Sequence, residues 1–264
     1  MRADVFLTEN GYTQSRQRAR VLIEGGCVTI DGKLVGKPSF AVSDGEHTVE
    51  VRDGIGYVGR GGLKLEAALD AFAIDVTGAF ALDIGASTGG FTDCLLQRGA
   101  ERVCAVDAGK GQLAEKLAND PRVTSLEHTN ARELTLEEVG GVRADVIVMD
   151  VSFISATYIL PRFPELLRAG GHAVVLIKPQ FEVGKSMLGK GGIVKDIRAH
   201  RYAVERVLDA GRAVGLTPVG LTVSPVTGGD GNREFLVHFI HTSDGTAQVT
   251  QEDIRAVTGA RTPI

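Results

Sequence analysis

Apolar runs of four to six residues alternate with segments of helical periodicity over most of the chain after residue 79. A run of this length between turn residues is typical of a strand buried on both faces of a sheet. The predicted strands are Phe80–Ile84, Arg102–Val106, Val123–Leu126, Asp145–Met149, Ala173–Ile177, Val219–Val223 and Phe235–Ile240. The predicted helices are Gly62–Phe72, Phe91–Arg98, Gln112–Asn119, Ile154–Leu167 and Asp196–Val214. This alternation predicts an α/β fold with a doubly wound, mainly parallel sheet, and the loop without a helix between the last two runs predicts an antiparallel closing strand.

The first fifty residues predict a smaller α+β unit. Ser15 can cap a helix at Arg16–Glu24, whose apolar side chains share one face. The Asp31-Gly32 dipeptide lies between two short apolar runs and is typical of a type I′ hairpin turn. The predicted strands of this unit are Cys27–Ile30, Lys33–Val35 and His47–Val51.

A glycine-rich segment separates the two units. Five glycines fall between Asp53 and Gly62, and so many would weaken the interior of a helix or strand. We therefore predict a small domain at 1–52, a hinge at 53–62 and a large domain at 63–264.

The composition is that of a globular protein, but charge is unevenly distributed within it. Of 264 residues, 43% are hydrophobic and 23% are charged, which excludes a disordered chain. The net charge of −4 argues against a uniformly basic surface. Residues 162–212 nevertheless contain ten Lys and Arg against five Asp and Glu, and residues 1–37 contain six against four. Two basic segments therefore occur in an otherwise acidic chain.

Three features of the sequence bear on where the protein acts and on whether it binds a metal. The N-terminal residues include charged side chains and lack the apolar stretch of a signal peptide. No run approaches the ~20 apolar residues of a membrane span. Cys27, Cys94 and Cys104 have no spacing typical of a disulfide framework or a zinc site. We expect a cytoplasmic protein with no bound metal and no membrane partner.

The N-terminal pattern resembles the S4-type RNA-binding domain, in which two short helices precede a small sheet. The resemblance rests on Ser15-Arg16, Ala19, Leu22-Ile23, the run Gly26–Gly32 and Lys37-Pro38. Long cationic side chains on one preformed surface are suited to phosphate contacts. The alternative is a solvated helix with three exposed arginines. The candidate RNA-binding residues of the whole chain are Arg2, Arg16, Arg18, Arg20, Lys33, Lys37, Arg60, Lys185 and Lys190.

The first strand of the large unit leads into a glycine-rich turn, Asp83–Phe91. Glycines at such a turn allow the backbone to pass from strand to helix and to approach a ligand closely. The run lacks the spacing of the dinucleotide fingerprint and the Gly-Lys-Ser/Thr of a phosphate-binding loop. It is similar to the Asp-x-Gly-x-x-x-Gly-Gly signature of enzymes that use S-adenosylmethionine (SAM).

Two later positions support a nucleoside site. Asp107 ends the second strand, 22 residues after Gly85, where an acid can accept hydrogen bonds from both ribose hydroxyls. A surface turn is the alternative for this residue. Asn130 follows the third strand, where its amide can contact the adenine edge or cap the next helix.

Charged residues follow two of the central strands. Asp150 and Lys178 come directly after apolar runs, at the carboxyl ends where open α/β sheets bind ligands. Glu234 precedes the last strand, and Lys64 lies on the helix after the predicted hinge.

These motifs resemble, over essentially the whole chain, the TlyA (hemolysin A) family of ribosomal-RNA 2′-O-methyltransferases, whose catalytic domain is similar to the FtsJ type. The resemblance implies a seven-stranded class I (Rossmann-like) methyltransferase sheet after an S4-type domain. It implies SAM as cofactor, ribosomal subunits as partners, and cytidines of 16S and/or 23S ribosomal RNA (rRNA) as targets. The implied catalytic residues are Lys64, Asp150, Lys178 and Glu234. The implied cofactor-binding residues are Asp83, Gly85, Ala86, Ser87, Thr88, Gly89, Gly90, Phe91, Asp107, Asn130, Ala131 and Asp150.

Two hypotheses concern the chemistry and the RNA. Lys178 either removes the proton of the 2′-hydroxyl or, as a cation, orients the hydroxyl oxygen. The effects of two lysines and two carboxylates roughly cancel, so the sequence does not decide between these roles. The stretch Gly184–Gly192 predicts a mobile loop near the RNA entry side, with a solvated surface segment as the alternative. Phe153 and Phe181 are candidates for stacking on a base, or else core residues.

Other functions remain as alternatives. A membrane-active hemolysin is not supported by a span or by a strongly amphipathic basic helix. A catalytically silent RNA-binding factor of the ribosome would not require four intact catalytic positions. A base methyltransferase would be expected to have the prolines typical of amino-group enzymes, which Asp150–Phe153 lacks.

Overall fold

Two β-sheets organise the chain in the computed structural model, which describes residues 1–13, 15–24, 26–51, 56–242 and 249–259. The helices are α1 (Ala3–Glu9), α2 (Arg16–Glu24), α3 (Gly61–Ala71), α4 (Gly90–Gln97), α5 (Glu115–Ala118), α6 (Phe163–Leu166), α7 (Pro179–Glu182), α8 (Ile197–Ala213) and α9 (Gln251–Gly259). The strands are β1 (Val28–Ile30), β2 (Lys33–Leu34), β3 (Val49–Val51), β4 (Phe80–Ile84), β5 (Arg102–Val106), β6 (Val123–Leu126), β7 (Ala144–Met149), β8 (Leu167–Ile177), β9 (Leu216–Val223) and β10 (Phe235–His241).

The large sheet has the strand order β6-β5-β4-β7-β8-β10-β9. The pairs from β6 to β8 are parallel, whereas β10 is antiparallel to both of its neighbours. The predicted doubly wound sheet of seven strands with an antiparallel closing strand is therefore confirmed.

Alternate residues of the central strands pack on opposite faces of this sheet. Leu82 and Ile147 belong to the core that includes α8, and Ala81 and Val146 belong to the core that includes α3 and α4. Because both faces are covered, the strands are apolar at nearly every position, which explains the continuous apolar runs in the sequence.

The small sheet has the order β2-β1-β3 and is entirely antiparallel. Asp31 and Gly32 both have positive φ, 53° and 72°, as a type I′ turn requires. Leu7 of α1 and Ile23 of α2 are fully buried against this sheet. The small unit therefore has an apolar core of its own.

Two predicted helices were wrong in extent. Ile154–Leu167 is not one helix but two 3₁₀ turns followed by the short α6, because Pro161 and Pro164 lack the N–H that a continuous helix needs. The helix predicted at Gln112–Asn119 shortens to α5. The backbone of Ala114 is extended, and its N–H donates to the carbonyl of Thr88 rather than within a helix.

The predicted hinge lies partly outside the described residues, at 53–55. Gly61 and Gly62 of that segment form the first turn of α3. Within the described ranges no helix has the combined length and apolarity that crossing a bilayer demands. The same residues contain no group of three or more His, Cys, Asp or Glu side chains arranged to hold a metal ion.

Candidate functional site

Three of the predicted catalytic residues are brought together by strand register. Asp150 follows β7 and Lys178 follows β8, and these strands are parallel neighbours, so both side chains emerge at the same edge of the sheet. β10 runs the opposite way, and its first residue, Phe235, pairs with Ile177. Glu234 therefore lies beside the end of β8 although it precedes its own strand.

Lys64 reaches the same edge from α3. A Cβ added at Gly90 of α4 would lie 3.0 Å from the backbone nitrogen of Gly62, so the two helices pack at close backbone distance. This packing buries Lys64, whose Nζ donates to Glu234 Oε2 at 2.6 Å.

The four side chains form an alternating row of charges. Lys64 Nζ lies 3.9 Å from Asp150 Oδ2, and Lys178 Nζ lies 2.6 Å from Asp150 Oδ1. Burial raises the pKa of the Glu234 carboxyl, and the ammonium of Lys64 opposes that shift. Two cations and two carboxylates compensate one another, which allows charged groups to be held in a largely buried site.

A cavity of about 530 Å³ adjoins this row at the carboxyl ends of β4, β5 and β7. Six of the predicted cofactor-binding residues line it: Gly85, Ser87, Asp107, Asn130, Ala131 and Asp150. Its volume is in the range of small-molecule sites. Because Asp150 belongs both to the cavity wall and to the charged row, a ligand in the cavity would lie next to the four predicted catalytic residues.

Gly85 has no side chain, and this allows the turn to pack closely on the segment that follows β7. It has a φ of +86°, and an added Cβ would lie 2.5 Å from the carbonyl oxygen of Asp150. The backbone of the turn therefore packs directly on the strand end that positions a predicted catalytic carboxylate.

Asp107 has the geometry expected of a ribose-binding carboxylate. Its Oδ2 accepts from Ser87 N at 2.8 Å and its Oδ1 accepts from Gly109 N at 2.7 Å. A carboxylate can accept about four hydrogen bonds, so further acceptor capacity faces the cavity. The residues present fit the nucleoside part of SAM.

Asn130 has the capping role that the sequence allowed, and it also lines the cavity. Its Oδ1 accepts from Arg132 N at 3.1 Å, and its Nδ2 donates to Glu133 Oε1 at 3.1 Å, as in a local cap. The residue also lines the cavity, so the cap fixes the orientation of an amide at the cavity wall.

The remaining predicted cofactor residues lie behind or beside the cavity wall. They are Asp83, Ala86, Thr88, Gly89, Gly90 and Phe91. Asp83 is fully buried, and its Oδ2 accepts from the backbone N and the hydroxyl of Thr92, at 2.8 and 2.6 Å. Asp83 thus ties β4 to α4 and supports the turn from within; direct cofactor contact by these six residues stays a prediction.

Burial raises the pKa of Asp83 from an ordinary 3.8 to about 7. The folded protein therefore binds the proton more tightly than the unfolded chain does. We expect the free energy of unfolding, measured relative to Asp83→Asn, to be highest below pH 4 and to fall as the pH rises toward 7. The slope should approach at most about 1.4 kcal/mol per pH unit. Denaturant unfolding of both proteins at several pH values measures this difference, and a difference independent of pH would contradict it.

Most predicted RNA-binding cations lie on the surface. Arg2, Arg16, Arg18, Arg20, Lys33, Lys37, Lys185 and Lys190 are exposed, and Arg60 is half-buried. Arg2 and Arg16 both contact the buried carboxyl of Asp4, and the hydrogen bond from Arg2 lowers the pKa of that carboxyl to about 2. These two arginines thus fix the geometry of the small unit and remain more than half exposed.

Contacts between the small unit and the large one border the loop before Glu234. Lys37 Nζ donates to the carbonyl of Gly229 at 2.8 Å. A cleft of about 490 Å³ lies beside this contact, and Lys33, Lys37 and Arg60 are among its lining residues. Three predicted RNA-binding cations therefore share one cleft.

The sequence did not identify Ser152 and Glu182 as residues of the site, and it left open whether Phe153 is exposed or in the core. Ser152 accepts a hydrogen bond from Lys178 Nζ at 2.7 Å. Glu182 is buried and accepts from Ser155 Oγ and from Ala156 N. Phe153 is 91% exposed, which excludes the core position considered for it. The sequence did not single out Ser152 or Glu182, because the partner of each lies 26 or 27 positions away along the chain.

Comparison with known proteins identifies relatives for both units. The FtsJ-like methyltransferase family model matches residues 57–241, and the S4 domain model matches residues 1–47. The chain is 47% identical over 237 residues to the 16S/23S rRNA (cytidine-2′-O)-methyltransferase TlyA of Mycobacterium tuberculosis, with 89% of this chain and 88% of that protein covered. It is 43% identical to Hemolysin A of Brachyspira hyodysenteriae, with 91% of this chain and 100% of that protein covered.

A solved structure from Streptococcus thermophilus is similar in fold over both units. The two chains are 38% identical and superpose with a TM-score of 0.76, covering 98% of this chain and 94% of that one. The similarity thus extends over nearly the whole chain.

Proposed function

The chain belongs to the family of FtsJ-like methyltransferases that have an S4 domain, and we propose that it transfers a methyl group from SAM to the 2′-hydroxyl of a cytidine in rRNA. The resemblance to the TlyA family that the sequence predicts is confirmed. The observation that most supports the proposed reaction is the row Glu234–Lys64–Asp150–Lys178 next to the cavity. The name of the M. tuberculosis relative supports 16S and/or 23S rRNA as the target.

Bound SAM would supply an activated methyl group on a positively charged sulfur. The protein must then place the ribose oxygen in line with that methyl group and provide for loss of the hydroxyl proton. Lys178 is within reach of both tasks, because it lies between Asp150 and the cavity-facing Ser152. Either Lys178 accepts the proton, or it orients the oxygen as a cation while Asp150 or solvent accepts the proton.

The residues of the cavity suit the proposed cofactor. Asp107 would accept from the ribose hydroxyls, and the amide of Asn130 would contact the adenine edge. Gly85 would keep the turn packed on the segment after β7 where both border the cavity. Asp150 would then face both the cofactor and the target nucleotide.

RNA contact in this proposal combines phosphate-binding cations with an aromatic platform. Phe153 is 91% exposed beside Ser152, and its ring centroid lies 5.3 Å from that of Phe181. An exposed ring next to the reacting groups is suited to stacking on an unpaired base. We assign residues 1–52 to RNA binding and 63–264 to methyl transfer; rRNA as the substrate implies action in the cytoplasm.

Replacing Lys185 and Lys190 together by alanine should weaken binding of rRNA about tenfold at low salt. Both lysines are exposed on the two 3₁₀ turns of the Gly184–Gly192 loop. If both contact phosphates, the slope of log K against log salt should decrease by about 1.4–1.8, because each phosphate contact contributes about 0.7–0.9. Filter binding or anisotropy over a salt series measures both quantities.

The matched control is Arg122→Ala. Arg122 is a surface cation paired with Asp120 just before β6, so it lies at the opposite edge of the sheet from the site. We expect this variant to keep the wild-type slope. An equal effect of both variants, or no effect of the lysine pair, would contradict RNA contact by the Gly184–Gly192 loop.

Tritiated methyl transfer to ribosomal subunits that lack the modification tests the proposed function. We expect SAM-dependent incorporation, with the label on the ribose of a cytidine after nucleoside mapping. Label on a base with an unmodified ribose would overturn the proposal. Failure to bind SAM by calorimetry would favour a silent RNA-binding factor, and lysis of liposomes without SAM would favour a hemolysin.

A further inference from the structure

The two close contacts of Lys178 differ in geometry. Its Nζ lies 2.6 Å from Asp150 Oδ1, but among the described residues that oxygen has no donor aligned for a hydrogen bond. The contact with Ser152 Oγ, at 2.7 Å, does have the alignment of a hydrogen bond. Asp150 therefore attracts the Lys178 ammonium by charge, whereas the hydrogen bond to Ser152 sets the direction of one of its N–H groups.

Direction matters for Lys178 because an ammonium group on a four-carbon stem can rotate. Lys side chains are flexible point charges with three rotatable N–H donors, so charge attraction alone does not fix where a given N–H points. A hydrogen bond to one neutral acceptor fixes the torsion about the Cε–Nζ bond and thereby the positions of the other two protons.

We propose that Ser152 is a positioning residue of the methyl transfer reaction, which orients the Lys178 ammonium toward the target hydroxyl. The inference rests on the proposed function and assigns a role to a residue that the catalytic row does not include. Ser152 is suited to this role because it lies on the cavity wall, whereas Lys178 behind it is only 9% exposed. The hydroxyl thus lies between the buried ammonium and the open site.

The backbone next to Ser152 is held in an unfavourable conformation. Phe153 has a φ of +65°, in the left-handed region that is unfavourable for a residue other than glycine. Its exposed ring cannot offset this cost by burial. Such strain persists only where surrounding contacts determine the conformation, and here it accompanies the placement of Ser152 beside Lys178.

Glu182 holds the residues that follow Phe153 from the segment after Lys178. Its carboxyl accepts from Ser155 Oγ at 2.5 Å and from Ala156 N at 2.8 Å. Glu182 ends α7, which begins directly after Lys178. The segment after β7 and the segment after β8 are therefore joined by the Glu182 contacts as well as by the Lys178–Ser152 hydrogen bond.

Single-turnover methylation of rRNA by Ser152→Ala tests the proposal. Loss of a hydrogen bond to a charged group predicts a rate lowered about 10- to 100-fold. The rate is measured at saturating SAM, because Ser152 lines the cavity, and affinity for rRNA should change less than about threefold, because the hydroxyl acts on Lys178. The matched control is Ser125→Ala, an exposed serine of β6, which should have the wild-type rate.

A double-mutant cycle with Lys178→Ala separates positioning from a merely structural role. If Ser152 acts through Lys178, adding Ser152→Ala to Lys178→Ala should slow the reaction less than about threefold further. The same 10- to 100-fold loss in both backgrounds, or a wild-type rate for Ser152→Ala alone, would overturn the inference. A wild-type protein that does not methylate rRNA would contradict the proposed function and this inference together, whereas an active wild type with an equally active Ser152→Ala contradicts only this inference.

Discussion

Lys178→Ala is expected to lower the rate of methyl transfer about 10³-fold, in the middle of the range for loss of a positioned acid–base group. The substitution removes the Lys178 ammonium, which contacts both Asp150 and Ser152. It also leaves the Asp150 carboxylate with Lys64 as its nearest cation, at 3.9 Å. Affinity for SAM should stay within a few-fold of wild type, because Lys178 does not line the cavity. Single-turnover kinetics and calorimetry measure the two quantities separately.

Lys178→Arg determines which of the two roles Lys178 has. Arginine retains the positive charge but does not deprotonate in the working pH range. Arginine can place a cation beside Asp150 and can donate to Ser152, as Lys178 does, so we expect the arginine variant to be at least tenfold more active than the alanine variant. An arginine variant as inactive as alanine across the pH–rate profile would instead support removal of the proton by Lys178.

Gly85→Ala should reduce SAM affinity about 100-fold and should slow the reaction as well. The added methyl group would lie 2.5 Å from the carbonyl oxygen and 2.9 Å from the carbonyl carbon of Asp150, which belong to backbone and cannot rotate away. Either the cofactor turn or the end of β7 must move, and both border the cavity. Adding a methyl group to a packed region costs about 1–3 kcal/mol of free energy because the neighbouring backbone must shift. Calorimetric titration with SAM checks the affinity.

Gly140→Ala is the control that isolates this clash from backbone strain. Gly140 has a φ of +94°, close to the +86° of Gly85, but an added Cβ would meet no atom within 4 Å. We expect Gly140→Ala to lower stability by about 1 kcal/mol through strain alone and to bind SAM as wild type does. Equal loss of SAM affinity in both variants would show that the close approach to Asp150 is not what requires glycine at position 85.

The strands were predictable because local sequence and burial agree. The apolar runs at Phe80–Ile84 and Arg102–Val106 coincide with β4 and β5, since strands covered on both faces are apolar at nearly every position. Helices were less predictable where other contacts compete with helical hydrogen bonds. Pro161 and Pro164 break the segment before β8, and the Ala114 N–H pairs with the cofactor turn.

The candidate site was predictable to the level of residue types but not of contacts. The end of a strand can be recognised in the linear sequence, and this position identified Asp107, Asp150 and Lys178 as candidates. The Lys178–Ser152 hydrogen bond and the contacts of Glu182 join residues 26 and 27 positions apart, and no periodicity encodes such pairs.

The sequence by itself determined the fold class, the family and the residue types at the carboxyl edge of the sheet. These follow from hydrophobic periodicity and from short motifs, which are local properties of the chain. Only the tertiary structure decided that Glu234 pairs with Lys64, that Phe153 is exposed and that Ser152 is the aligned acceptor of Lys178. The reason is that antiparallel insertion of β10 and the close packing of α3 on α4 set distances between segments far apart in sequence.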